Sequence, residues 1–426
     1  MMMTGELYIA GIGMGHTGGM TLEVKDAILK ASLLVGGSRM LSSIPEEWKA
    51  GKTCIPIWKP EEIADILARE TCSVAAALMS GDSGFNSGTG HLISELSRRG
   101  MVVRVNGTAL KETERETEHT GLSIWVYPGV GSISTLAAKA GIGWEEAVHV
   151  SLHGRSQNLF SALAQGKKVF VLSGSKTDEV MRNLKGSVFC RSEVFIGERM
   201  GAMGERFLRL RAEAYEKDSF DPMTTMLILP ETERPVRLLG MADDLFVRGK
   251  VPMTKSEVRS LSVSRLAPGR SDVVYDIGAG TGSGSVELSM QAMYGRVFAI
   301  ERRPEALELI RANREKFFCR NLEIVEGTAP EILAELPRPD AAFIGGSGGA
   351  MREILHSLKR MNSRIRVVIN AVSPETLTET LSALRELAFS EVECSQISVA
   401  RAEAHGGLHL MKAENPVYVI SAAGGE

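Results

Sequence analysis

The stretch Val273-Val274-Tyr275-Asp276-Ile277-Gly278-Ala279-Gly280-Thr281-Gly282 decides the fold of the chain's second half. A β-rich run meets a glycine-rich loop, and apolar residues at helical spacing follow. Glycine allows positive φ and lets a ligand approach the backbone where a side chain would collide. A second run, Val297 to Ile300, ends at Glu301. An acid at that strand end can accept both ribose hydroxyls of a nucleoside, so the two features together suggest an adenosyl ligand.

The alternatives are a ligand-free strand-to-helix turn and a dinucleotide site. A pyrophosphate favours G-x-G-x-x-G with no anion before it, whereas Asp276 precedes this loop. A negative charge there suits the cationic sulfonium and amino acid end of S-adenosylmethionine, which favours methyl over hydride transfer.

Further strands are predicted at Leu322 to Val325, Ala341 to Ile344 and Arg366 to Ile369, separated by helices, with a first helix from Thr254. Two late runs, Glu391 to Val399 and Val417 to Ser421, lack an intervening helix. This is the pattern of a seven-stranded, Rossmann-like (class I) doubly wound sheet whose last pair is antiparallel.

Residues 229–250, with Pro230, Glu231, Glu233 and Pro235, read as a linker, giving domains 1–235 and 241–426. A chain of 426 residues exceeds the roughly 250 to 300 residues at which single cores stop growing. The first half predicts α/β layering, with strands at Leu7 to Ala10, Val74 to Met79, Val102 to Val105, Ile124 to Tyr127, Ala147 to Leu152, Val169 to Leu172 and Met226 to Leu229. Leu22, Ile28, Ala31 and Leu34 show helical spacing, as do Leu92, Ile93 and Leu96.

No run reaches the ~18 apolar residues of a membrane helix, and the N-terminus lacks a basic, unbroken apolar leader. The expectation is a cytoplasmic globular protein. A net charge of −3 argues against nucleic acid. The five cysteines, Cys54, Cys72, Cys190, Cys319 and Cys394, show no paired spacing for a metal, a redox dithiol or disulfides. The pairs His149/His153 and His405/His409 have i,i+4 spacing, but the first lies in a strand-like run and the second encloses Gly406-Gly407. No metal is expected.

Several motifs make the second half resemble the decarboxylating C15-methyltransferases of precorrin and cobalt-precorrin processing. They are Phe246-Val247-Arg248-Gly249, Val251-Pro252-Met253-Thr254-Lys255, Asp276 to Gly282, Pro339-Asp340-Ala341-Ala342-Phe343-Ile344-Gly345-Gly346 and Asn370-Ala371-Val372. The resemblance covers residues 243–422. In Gly327-Thr328-Ala329-Pro330, Thr328 stands where an acid is usual beside the adenine.

In the first half Gly11-Ile12-Gly13-Met14-Gly15 and Ser80-Gly81-Asp82-Ser83-Gly84-Phe85 follow strands. With Val35-Gly36-Gly37-Ser38-Arg39, Pro128-Gly129-Val130-Gly131-Ser132 and Val150-Ser151-Leu152-His153-Gly154-Arg155 they resemble the tetrapyrrole methylase family over about residues 5–230. Within it the match is closest to the C5-methylating enzymes of the corrin pathway. Met14 and His16 depart from a usual Pro and Asp, and Ser83 from a Pro.

The resemblances imply a fused methyltransferase of cobalamin biosynthesis. It would methylate precorrin-6B, or its cobalt form, at C5 and C15, with loss of the C12 acetate carboxyl, giving precorrin-8X. The first domain would have two α/β subdomains, and each half would hold one S-adenosylmethionine. Implied cofactor contacts in the first half are Gly11, Gly13, Gly81, Asp82, Ser83, Ser132 and Leu152. In the second they are Thr254, Asp276, Gly278, Ala279, Gly280, Thr281, Gly282, Glu301 and Ala329.

A polycarboxylate substrate wants cationic donors, for which Arg39, Arg155, Arg248, Lys255 and Arg401 stand in or near motif loops. His153, Gly345, Gly346 and Asn370 complete the implied substrate set. No side chain is assigned to catalysis, because the conjugated macrocycle can supply the electron pair and act as electron sink. A homo-oligomer is implied. The rival readings are an RNA methyltransferase and an enzyme active only in its C-terminal half.

Overall fold

A computed structural model describes residues 5–69, 72–101, 103–109, 122–152, 157–233 and 235–425. They form three main sheets and one hairpin. The first sheet contains β1 (Gly5–Gly11), β2 (Leu33–Val35), β3 (Thr53–Ile55), β4 (Val74–Met79), β5 (Val103–Val105), β6 (Thr108–Ala109) and β7 (Leu122–Tyr127). Their order is β3-β2-β4-β1-β7-β5-β6, parallel except for β6. Helices cover both faces, so its central strands are continuously apolar, as parallel strands must be. Leu7 and Ile9 face one buried cluster, and Tyr8 and Ala10 the other.

The short strands β2 and β3 were not foreseen. The predicted helical run through Leu34 ends at Lys30, and Leu34 is a buried strand residue. Leu22, the first member of that run, is 78% exposed.

The second sheet has β8 (Val148–Ser151), β9 (Val169–Leu172), β10 (Glu193–Glu198), β11 (Arg206–Arg211) and β12 (Thr224–Leu229), in the order β11-β10-β12-β9-β8. By proximity of their Cα atoms the described residues fall into two compact units. One comprises 1–145, 195–209 and 219–227, and the other 146–194, 210–218 and 228–426.

The third sheet is built from β13 (Val273–Ile277), β14 (Arg296–Glu301), β15 (Leu322–Glu326), β16 (Ala341–Ile344), β17 (Arg366–Ala371), β18 (Phe389–Ile397) and, after the hairpin β19 (Ala400–His405) and β20 (Leu408–Ala413), β21 (Val417–Gly424). Its order is β15-β14-β13-β16-β17-β21-β18, with β21 antiparallel to both neighbours. The seven-stranded doubly wound expectation is therefore met. Chain order reverses at β13, between β14 and β16, so the crevice outside the carboxyl ends of these strands is the place for a ligand. The core beneath it packs Tyr275, Ile277, Ile300, Ile344 and Ile369 against Ile354, Leu355 and Leu358.

Among the described residues of 230–250 there is no helix or strand apart from a single turn at Asp243–Leu245, yet Met241, Asp243 and Phe246 are buried. The fully buried Arg259, on the helix Ser256–Leu266, holds this segment. Its Nε donates to Glu287 at 2.7 Å and its Nη1 to Asp243 at 3.2 Å, while Nη2 reaches the Met241 carbonyl. Glu287 in turn accepts the N–H groups of Gly240 and Met241.

The hairpin β19–β20 turns at Gly406-Gly407, both at positive φ, so His405 and His409 lie in strands. Among the described residues no helix is long and apolar enough to cross a membrane.

Candidate active site

A cavity of about 490 Å³ opens at the predicted crevice. Its floor is the loop after β13, and its walls are the ends of β14, β15, β16 and β17, with Pro252 to Lys255 alongside. The loop is narrow because the sheet is closely packed here. Gly278 has φ +72°, and a Cβ on it would lie 2.7 Å from the Gly346 carbonyl oxygen. Any side chain would push apart the two loops that line the cavity. Gly282 does not line it: at φ +76° it precedes the helix Ser283–Gln291, and a Cβ would press on Ile310 at 3.0 Å.

Two buried carboxylates face each other electrostatically at the floor. Glu301 accepts from Gly280 N at 2.9 Å, Arg302 N at 2.9 Å and Arg303 N at 3.1 Å, with Arg303 Nε at 3.4 Å. Burial alone would raise its pKa, but these donors outweigh it and hold the group below the usual carboxylate range. Asp276 is pushed up to about 7, chiefly by burial and further by the Glu301 charge, against a hydrogen bond from Ser285 Oγ.

Buried polar groups are ordinarily paired, so several unpaired ones gathered around one cavity point to an occupant. Asp276 Oδ1, Thr281 Oγ1 and Asn370 Nδ2 are buried without a partner, and all three residues line this cavity. Asn370 is oriented from behind, its Oδ1 accepting from Ser262 Oγ at 3.0 Å. An occupant must therefore carry donors for Asp276 and an acceptor for Asn370, in a space within the ordinary range of small-molecule sites.

Of the residues predicted in this half, Thr254, Lys255, Asp276, Gly278, Ala279, Gly280, Thr281, Glu301, Ala329, Gly345, Gly346 and Asn370 line the cavity, as does Thr328. Arg248 is exposed and does not. Arg401 is also no wall of it: its guanidinium is held by Asp243 at 3.0 Å and by Glu257. Sequence reasoning missed Arg302, Arg303, Ser347 and Glu414. The first two could have been found, because they directly follow the acid at the end of β14. Glu414 is brought in by the hairpin, its Oε1 3.9 Å from Lys255 Nζ.

The first sheet gathers its glycine loops in the same way, at the carboxyl ends of parallel strands. Gly13 and Gly81 form a two-way backbone bridge, at 3.1 and 2.9 Å. A Cβ on Gly11 would meet Gly129 N at 2.6 Å, and one on Gly13, at φ +69°, Gly19 O at 2.5 Å. Ser83 is buried and donates to the Tyr127 carbonyl at 2.8 Å, while Asp82 accepts from Gly84 N at 2.7 Å. Ser132 opens the helix Ser132–Ala140, and Arg39 Nη2 donates to Ser80 Oγ at 2.8 Å.

His16 lies against Gly201, where a Cβ would approach its ring to 2.7 Å. Leu152 is buried, its N–H bonded to Leu172 O, and belongs to the other compact unit. His153 and Arg155 lie outside the described residues.

Two family descriptions match the chain: Tetrapyrrole (Corrin/Porphyrin) Methylases over residues 6–215, and Precorrin methyltransferase domain over 244–423. The precorrin-6Y C5,15-methyltransferase (decarboxylating) of Sinorhizobium sp is 31% identical over 422 residues, covering 96% of this chain and 94% of that one. The cobalt-precorrin-6B C15-methyltransferase (decarboxylating) of Salmonella typhimurium is 38% identical over 183 residues, 42% of this chain and 94% of its own. A crystal structure of precorrin-6Y C5,15-methyltransferase from Geobacter metallireducens is 40% identical, covering 44% of this chain and 98% of that one, with a TM-score of 0.42.

Proposed function

The chain belongs to the precorrin-6Y C5,15-methyltransferase family of cobalamin biosynthesis, and we propose that it methylates precorrin-6B or cobalt-precorrin-6B at C5 and C15 and removes the C12 acetate carboxyl, yielding precorrin-8X. Residues 1–235 carry the C5 transfer and residues 241–426 the C15 transfer and decarboxylation. Each half takes one S-adenosylmethionine, which when bound supplies an electrophilic methyl group.

The observation that carries the reading is the set of orphaned polar atoms around the cavity of the second half. Glu301 receives the ribose hydroxyls, its charge already fixed by backbone donors. Asp276 presents its free Oδ1 to the cationic amino acid end, and Thr254, Gly278 to Thr281 and Ala329 enclose the remainder. Lys255 and Asn370 Nδ2 bind and orient carboxylates of the macrocycle, with Gly345 and Gly346 allowing it close approach. Protein groups here position the two reactants and exclude water, and none attacks the substrate. In the first half the backbone around Gly11, Gly13, Gly81 to Ser83 and Ser132 holds the donor, while Arg39 meets substrate carboxylates. The enzyme works in the cytoplasm as a homo-oligomer.

Calorimetric titration of the full chain with S-adenosylmethionine tests the two-site reading. Two equivalents bound, falling to one in Asp276→Ala, are expected. One equivalent, lost in that variant, would reduce the first half to a scaffold.

A further inference from the structure

Trp58 is the most exposed aromatic residue among those described, at 66%. It follows β3, where Ile57 N turns back onto Ile55 O at 2.9 Å. Ile55 and Ile57 pack on the buried cluster of the first sheet, whereas Trp58 belongs to neither cluster of that sheet. Core packing therefore does not account for it.

Its surroundings are specific. β3 runs parallel to β2, and the segment after β2 begins Gly36-Gly37. A Cβ at Gly37 would meet Met40 Cε at 3.3 Å and Trp58 Cβ at 3.7 Å, so the segment after β2 lies against the base of Trp58, whose side chain is otherwise largely in solvent. Two residues on is Arg39, fixed by Ser80 Oγ at 2.8 Å, with its Nη1 4.0 Å from where a Cβ on Gly15 would sit. Along this carboxyl edge an open indole is followed by a held guanidinium and then by the glycine loops after β4 and β1.

We propose that Trp58 is a stacking platform for the substrate of the first half, a reduced tetrapyrrole whose conjugated segment lies on the indole and whose carboxylate arms are met by Arg39; this rests on the C5-methylating reading above. The conjugated stretch of such a macrocycle gains contact over the indole face, and a guanidinium beside it selects an anionic ring over a merely apolar one. The carboxyl ends of parallel strands are where such a ligand belongs.

The test uses the full chain with Trp58→Ala and Trp58→Phe, following C5 methylation by mass as precorrin-6B is varied. The alanine variant should raise KM for C5 transfer roughly tenfold, the scale of one lost stacking contact. Its kcat at saturation should hold, and phenylalanine should recover most of the loss. C15 transfer and thermal stability should not move in either variant. An unchanged KM in Trp58→Ala, a loss confined to kcat, or an equal loss at C15 would overturn the platform. A parent chain that adds the C15 methyl but none at C5 would instead remove the reading on which it rests.

Discussion

Glu301 accepts a hydrogen bond from the backbone N–H of Gly280 at 2.9 Å, so the acid that ends β14 fastens the glycine loop that follows β13. One carboxylate thus shapes the cavity floor and, in the proposed complex, reads the ribose. Glu301→Gln keeps the volume but removes the charge. Because charge-assisted hydrogen bonds are about twice as strong as neutral ones, S-adenosylmethionine should bind this cavity roughly tenfold more weakly. Calorimetry on the full chain checks this, with the first-half site as internal control.

Asp276 gives the cavity a pH dependence. Its pKa rises from the ordinary 3.8 to about 7 in the folded protein. The folded state then holds a proton that the unfolded state has lost between these values. Stability contributed by this group is full below about pH 4 and is lost as pH rises toward 7, by up to about 4 kcal/mol. Asp276→Asn should therefore unfold at a higher temperature than the parent at pH 8, with the gap closing at pH 4. Affinity for the sulfonium donor should run the other way, tightening in the parent from pH 5.5 to 8 as Asp276 ionises and staying flat in the variant.

Gly13→Ala asks whether the two halves work separately. At φ +69° a side chain is strained by about 1–2 kcal/mol, and its Cβ would meet the Gly19 carbonyl at 2.5 Å. The expected product carries the C15 methyl and has lost carbon dioxide, but lacks the C5 methyl. Mass analysis with fragment assignment distinguishes it from the doubly methylated product.

Arg259→Met removes a cation that neutralises Glu287 and Asp243 within the protein. Leaving a buried carboxylate uncompensated typically costs about 3–5 kcal/mol, so denaturant unfolding should shift by that order. Arg259→Met with Glu287→Gln should recover part of it.

The second half was legible where backbone geometry restricts residue choice. The loop from Asp276 to Gly282 announces itself because glycine takes positive φ at least cost, as it does at Gly278, Gly280 and Gly282. Glu301 follows from its place at a strand end. What stayed hidden depends on three-dimensional neighbours. Leu34 extends a helical spacing by chance, and only the sheet makes it a strand residue. The hairpin β19–β20 is exposed along nearly its whole length, so no burial pattern marks it. Arg401 looks like a free cation in sequence, yet Asp243 and Glu257 consume its donors. Glu414 reaches the cavity only because that hairpin returns beside β18's end.

Incubation of the purified full-length chain with S-adenosylmethionine and precorrin-6B, or its cobalt form, followed by mass analysis, tests the central claim most directly. A product with two added methyl groups and one carbon dioxide fewer is predicted. Recovery of both substrate forms unchanged, from protein that binds S-adenosylmethionine, would contradict it.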